Sequence, residues 1–434
     1  MTPEITGLIV LMASLFILMF IKIPIAFSLG ISSVITAIYL DIPLLLLFQN
    51  LVSGINSFTF LAVPFFILAA EIMNSGGLSD KIMEFAMVLV GRFRGGTAKV
   101  NVLDSMFFGG ISGSSIADVS SLGSIIIPIM EKQGYDKDFS VALTATTSVQ
   151  GVLIPPSQNM IYYALAAGGV SIGNLFLAGY LPGILLGICL LIPTHILSVK
   201  RDYPVGIKYT LRQGVKIAID AISGLFMMVI IVGGISTGVF TATESAAVAT
   251  VYAIFVTYFG YKNMDLARIK EILFSTAKTL ATILAIIATS SAFGFVLSYL
   301  RVPYMITNFF LNVSDNPAII LLLINILLII AGMFMDMGVL ILILAPILVP
   351  VATSIGIDPI HFGMIMILNL GIGLCTPPVG TSLMVACAIA DLEIEKSVKA
   401  LLPFYAAMFV AVILVTYIPA ISLWLPRVFG GYGL

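Results

Sequence analysis

Five carboxylates interrupt apolar sequence in this chain: Glu71, Asp104, Asp118, Glu244 and Asp336. A charged side chain at the centre of a bilayer costs about 3 kcal/mol even on the mildest scale, so an acid in such a setting points first to function. Asp118 and Asp336 stand out because neutral oxygen and amide donors gather around each. Near Asp118 lie Ser112, Ser114 and Ser115, then Thr146, Thr147, Ser148, Gln150, Ser157, Gln158 and Asn159; near Asp336 lie Asn369, Thr376, Thr381 and Ser382. Hard monovalent cations take such oxygens together with freed backbone carbonyls, and helix N-termini take a carboxylate. Each serine taken singly also suits close helix packing. Either aspartate also suits pairing with a backbone donor or a lysine, and Glu71 and Glu244 read as structural.

The elements that must position these residues come in two copies. Residues 110–164 and 332–386 align without gaps at an offset of 222, with ten of 55 positions identical. Seven identities are Gly, Pro or Asp: Gly110/Gly332, Pro128/Pro350, Gly134/Gly356, Asp136/Asp358, Gly151/Gly373, Pro155/Pro377 and Pro156/Pro378. Most of these residues set backbone shape, so the copies share bends rather than greasy surface. Each copy reads as an apolar stretch, a Gly-centred break, a returning stretch that stops near Pro128 or Pro350, and a helix interrupted by a proline pair. The stretches beside each Gly-centred break are short for full spans and fit a re-entrant hairpin. Two Gly/Pro-interrupted segments in corresponding halves are the best sequence pointer to a transport site. A sodium site in the first copy would use Gly110 and Ser112 with carbonyls at Gly151, Ile154 and Pro156; its mate would use Gly332, Gly373, Thr376 and Val379. Solute candidates are Ser114, Ser115, Asp118, Gln150, Gln158, Asn159, Asp336, Thr381 and Ser382.

Composition agrees with this setting. Of 434 residues 60% are hydrophobic and only 9% charged, against about 25% charged in soluble domains. Apolar runs long enough for spanning helices recur throughout, predicting an all-α polytopic membrane protein with about 11 spans. A net charge of −1 argues against a nucleic-acid partner. Cys189, Cys375 and Cys387 read as small core residues, and His195 and His361 lie in no metal-ligand pattern. Residues 5–21 lack a basic n-region and read as a retained first span, with the N-terminus outside. The basic loop 200–216, with Lys200, Arg201, Lys208, Arg212 and Lys216, is assigned to the cytoplasm. Residues 78–94 and 265–278 read as interfacial amphipathic helices. The chain divides into 1–93, 94–170 with the first copy, 171–317, 318–390 with the second, and 391–434. An odd number of crossings is expected within 171–317, and inversion of the second copy is the working expectation.

The segments GGISGSSIAD, GYDKDFS, LIPPS, VFTATESAAVA at 239–249 and LCTPPVG resemble the large membrane subunit of tripartite ATP-independent periplasmic (TRAP) transporters. FLAVPFFILAAEIM near the start and YIPAISLWLP near the end extend the resemblance over essentially the whole chain. It implies a bacterial inner-membrane permease that works with a small four-helix membrane subunit and a periplasmic substrate-binding protein. It also implies sodium as coupling ion, no other cofactor, and an elevator-type, inverted-repeat architecture with two re-entrant hairpins and two discontinuous helices. Family sodium sites carry over to Ser112, Gly151 and Pro156, and to Gly332, Gly373, Thr376 and Val379. The implied solute is an organic acid. Gln158–Asn159, where many members have an apolar residue and a further proline, favours a sialic-type or sugar acid over a C4-dicarboxylate. A stand-alone sodium- or proton-coupled symporter is the alternative; an enzyme is not indicated, for the sequence has no HExxH or cofactor loop.

Overall fold

A computed structural model describes residues 3–56, 58–206, 209–261 and 263–432; Lys208 of the basic loop lies outside them. The described chain is all-helical, with one isolated antiparallel bridge, Arg94 to Val205. Among the described residues, seven helices are long and apolar enough to span a membrane, and Ala62–Ser75 with Leu78–Val90, bent by 70°, makes an eighth candidate. Five shorter apolar helices accompany them, among them Pro317–Gly332 and Pro359–Gly373.

The offset of 222 governs far more of the chain than the letters disclose. Ile172–Lys200 begins 222 residues before Ile394–Tyr417, and these two helices pack on each other. Ile25–Tyr39 packs on Leu266–Tyr299, while Ala242–Phe255 packs on Ala62–Ser75. These are the same contact with the copies exchanged. Leu29 and Leu47 meet Phe293 and Val296 in one small buried cluster of this outer framework, whereas both breaks sit in the larger central core.

The two hairpins enter from opposite ends of the 29-residue Ile172–Lys200 helix, a separation of about 43 Å. At its C-terminal end the base of the first hairpin is tied down: Arg94 pairs with Asp202, the Gly95 N–H donates to the Pro204 carbonyl at 3.0 Å, and Arg201 pairs with Asp136 and Asp138. Near its N-terminal end lies the base of the second hairpin. There the Tyr163 hydroxyl donates to the Pro359 carbonyl at 2.6 Å, and a Cβ on Gly363 would touch Tyr163 and Leu175. Residues 171–317 hold four long apolar helices rather than the odd number expected. Adding the broken helix of the first copy, an odd number separates equivalent points, as inversion requires.

The returning helices end near Pro128 and Pro350, one turn on at Lys132 and Ser354. One further expectation is corrected. Residues 265–278 are not a separate interfacial piece. Asp265 caps a continuous helix, Leu266–Tyr299, by accepting from the Arg268 N–H at 2.7 Å. Glu244 is structural as read: with Thr241 it forms a capping box at the start of Ala242–Phe255, its carboxylate accepting from the Thr241 N–H at 2.8 Å.

The aligned pair Asp136/Asp358 has diverged in use. Asp358 caps its own helix through the Ile360 N–H at 2.8 Å, whereas Asp136 accepts from the Tyr203 hydroxyl at 2.7 Å and from Arg201 at 2.8 Å. The Tyr203 hydrogen bond, and after it Arg201, hold the Asp136 carboxyl below the usual range. A lowered folded value stabilises the fold above the unfolded carboxylate value of about 4, and the contribution is lost as pH falls through the folded value. Wild type should therefore melt above Asp136→Asn at neutral pH, with the gap closing as the medium is acidified below about pH 4. Thermal unfolding of both proteins across that range checks it; a gap independent of pH would remove the linkage.

Candidate functional site

Each proline pair ends a helix in the middle of the core. In the first copy Lys137–Thr147 runs through Gln150–Leu153, the chain opens at Ile154–Ser157, and Gln158–Ala166 restarts. In the second, Pro359–Gly373 opens and Thr381–Ala390 restarts. Each proline pair is joined by a cis peptide bond. Proline cannot donate, so each break leaves backbone carbonyls without their helical partner.

Each hairpin tip lies directly on its break, with backbone on backbone. A Cβ on Gly373 would lie 2.5 Å from the Cα and carbonyl carbon of Gly332. The first copy achieves the same approach one residue earlier than the alignment suggests: a Cβ on Gly109, not Gly110, would lie 2.5 Å from the Gly151 Cα. Gly110 instead faces Met228 and the Pro155 carbonyl. Gly113 turns the first tip at φ +62°, and its Cβ would meet the Pro156 carbonyl at 2.5 Å, so only glycine fits there. A small cavity of about 10 Å³ lies between tip and break, lined by Ser112, Pro156, Ser157 and Gln158 among others, which is room for one water-sized particle. In the second copy the Val379 and Gly380 N–H groups donate to the Met333 carbonyl at 3.3 and 3.4 Å, and the Thr376 hydroxyl donates to the Ile372 carbonyl at 2.7 Å. Ile154 is buried, its N–H on the Gln150 carbonyl at 2.9 Å.

Between the two tips lies a second cavity, of about 300 Å³. It brings together Ser114, Ser115, Gln158, Asn159 and Asp336 from the predicted solute set. It does not receive Asp118, Gln150, Thr381 or Ser382. Gln150 points its amide at the Val102 and Thr147 carbonyls. Ser382 lies behind the tip, where its hydroxyl meets that of Ser115 at 2.7 Å, and Ser115 meets Ser148 at 2.6 Å. That three-serine bridge joins the first tip to both broken helices. Among the described residues, the carboxylate oxygens of buried Asp118 and the hydroxyl of half-buried Thr381 accept or donate no hydrogen bond.

Three helix N-termini open on this cavity. Ser114 caps the helical run that starts at Ser115 and continues to Lys132, Ser157 precedes Gln158–Ala166, and Asp336 caps Met337–Ser354 through the Gly338 N–H at 2.9 Å. N-terminal N–H groups and the helix dipole favour an anion. The far wall was missed by the sequence reading: Thr279, Thr282, Ile283 and Ile286 come from the Leu266–Tyr299 helix of the outer framework. Their spacing of three and four residues on one helical face was the available signal; attention to charge on 265–278 obscured it. His361 is buried with its ring 3.2 Å from the Thr416 carbonyl, and no group of three metal-ligating side chains occurs among the described residues.

Known proteins place this architecture. The family model for the DctM component of tripartite ATP-independent periplasmic transporters matches residues 12–421. The sialic acid TRAP transporter large permease SiaM of Vibrio cholerae is 40% identical, covering 89% of this chain and 90% of that one. The C4-dicarboxylate TRAP transporter large permease DctM of Pseudomonas aeruginosa is 42% identical, covering 86% of this chain and 87% of its own. Among solved structures the Alcanivorax borkumensis YdaH transporter superposes with a TM-score of 0.65 at 14% identity, over 86% of this chain and 88% of that one, a likeness of fold alone.

Proposed function

From the premise that this chain belongs to the DctM family of TRAP transporter large permeases, and is therefore a multi-pass inner-membrane protein, we propose that it carries out sodium-coupled uptake of an organic acid. A periplasmic binding protein delivers the solute, and a small four-helix subunit completes the membrane part. The favoured solute is a sugar acid of the sialic type, with a C4-dicarboxylate next.

One observation carries this reading: the 300 Å³ cavity faces three helix N-termini yet is lined by no Lys, Arg or His. N-terminal N–H groups suit one carboxylate. A second carboxylate would have no basic partner and would meet Asp336. Ser114, Gln158, Asn159, Tyr162, Thr279 and Thr282 instead offer hydroxyl and amide groups to a hydroxyl-rich body. The relatives named for sialic acid and for C4-dicarboxylates fit either solute, and the lining is what supports the preference.

Mechanistically, each hairpin tip closes on its break only when both backbones are ordered. A sodium ion at Ser112 and Pro156, with Gly151 and Ile154 carbonyls behind, orders the first; one at Thr376 and Val379, against Gly332 and Gly373, orders the second. Solute binding between the tips then costs less ordering entropy, which couples ion to solute. The two copies move as a unit against the Leu266–Tyr299 helix, carrying the cavity past the Thr279–Ile286 wall.

Uptake by liposomes containing the chain, its small subunit and its binding protein, under sodium or potassium gradients and with each protein omitted in turn, tests the reading. Sodium-driven uptake of sialic acid that needs the binding protein is expected; uptake without it would mean a stand-alone symporter. Ser112→Ala and Thr376→Val should each raise the sodium concentration for half-maximal uptake about fivefold, the effect of about 1 kcal/mol from one lost oxygen ligand. An unchanged sodium response would remove that residue from the ion site.

A further inference from the structure

One large cavity remains outside everything described so far. It measures about 800 Å³ and lies at the N-terminal end of Ile172–Lys200, the end away from Arg201 and the basic loop. Ser171 and Gly173 border it there. Asn50 and Ser53 of Leu44–Ile55, with Ser290 and Ser298 of Leu266–Tyr299, complete its polar lining. It adjoins the cavity between the tips, because Ile287 and Leu342 line both. Thr279 on the one cavity and Ser290 on the other are about 16 Å apart along a single helix.

Among the described residues no charged side chain lines this cavity, so a phosphate or a metal ion finds no partner of opposite sign there. Its chemistry suits a hydroxyl-rich acid with one carboxylate. The first N–H groups of a helix have no acceptor within it, and the helix dipole favours an anion beside them. In Ile172–Lys200 the Ser171 cap accepts from the Asn174 N–H at 3.3 Å, and no acid is present. The start of Ala242–Phe255 also borders the cavity, but the Glu244 carboxylate is already held there by the Thr241 N–H. Ser290 is an independent sign of a ligand. It is 4% exposed, and its hydroxyl has no hydrogen-bonding partner among the described residues, an arrangement that costs stability until a partner arrives.

We propose that this cavity is an entry subsite, which holds a hydroxyl-rich carboxylic acid before it reaches the space between the tips. The inference rests on the proposed uptake of a sugar acid. The carboxylate lies at the first turn of Ile172–Lys200, one solute hydroxyl meets Ser290, and others meet Asn50 and Ser53. The solute then crosses the Ile287–Leu342 boundary and exchanges Ser290 for Thr279 and Thr282 of the same helix. With the basic loop 200–216 in the cytoplasm, the subsite faces the periplasm, from which the solute comes. Succinate, with two carboxylates and no hydroxyl, matches it poorly.

Ser298→Cys puts a reporter thiol on the exposed rim of the cavity, and Cys189, Cys375 and Cys387 are buried. In the purified full-length chain with its small subunit, without sodium, a charged thiosulfonate reagent should modify this thiol. Sialic acid should slow the modification and succinate should not. Adding Ser290→Ala should raise the sialic acid concentration for half-protection about fivefold, through the loss of one hydrogen bond. Adding Thr279→Val with Thr282→Val should leave that concentration within about twofold, because changes this far apart act independently. Protection by neither acid or equally by both, no effect of Ser290→Ala, or protection lost with the threonine pair overturns the subsite. Wild-type uptake in liposomes decides the transport reading separately. Sodium-driven uptake without protection keeps that reading and removes the subsite; protection without uptake does the reverse.

Discussion

Gly373→Ala should reduce sodium-driven uptake roughly 10- to 100-fold. The methyl group would arrive 2.5 Å from the Gly332 backbone, and what it meets is main chain, which cannot rotate aside. Overpacking of this kind costs about 1–3 kcal/mol, charged here against the closed arrangement of the second tip on its break. Because the tip sits over the proposed ion ligands Thr376 and Val379, sodium affinity should fall with uptake. Gly109→Ala should act alike in the first copy, where the obstacle is the Gly151 Cα. Gly233→Ala is the control: the nearest atom outside its own helix backbone is Val229 Cγ1 at 3.9 Å, so uptake should be unchanged and the helix slightly steadier. Uptake measured across a sodium series for all three decides it. Near-normal transport by Gly373→Ala would mean that the two backbones do not close on each other during the cycle.

The second large effect concerns the wall that only folding revealed. Thr279→Val with Thr282→Val keeps the shape of the Leu266–Tyr299 helix while removing two hydroxyls from the 300 Å³ cavity. A solute hydroxyl left facing a methyl group loses its partner at a cost of about 1–3 kcal/mol. The double variant should therefore need roughly 10- to 100-fold more sialic acid for half-maximal uptake, while a bare dicarboxylate such as succinate is affected little. Competition between labelled sialic acid and unlabelled succinate gives the ratio directly. Equal losses for both would reduce the threonines to packing residues and return specificity to Gln158 and Asn159. An Asn159→Leu variant should shift the same ratio, because Asn159 sits across the cavity at the restart of the first broken helix.

Much of this was legible in the residues alone. Apolar runs with few charges require helices in lipid, because no other open structure satisfies its own backbone there. Pro155–Pro156 and Pro377–Pro378 had to interrupt helices, since a proline pair can neither donate nor tolerate the preceding turn. Repetition of Gly, Pro and Asp at a fixed offset placed both breaks in equivalent positions. All of these are local consequences of residue type.

The tertiary structure decided whatever depends on distant segments meeting. Ser382 shares the composition of the cavity residues but lies behind the tip, where its hydroxyl and that of Ser148 meet the Ser115 hydroxyl, and Asp118 is no part of the cavity lining. Thr279 and Thr282 reach the site from a helix more than a hundred residues from either Ser114 or Gln158. The close glycine of the first copy is Gly109 rather than its aligned neighbour, a shift of one residue that spacing could not register. Local chemistry fixes where a helix breaks; only packing decides which side chain the break then faces.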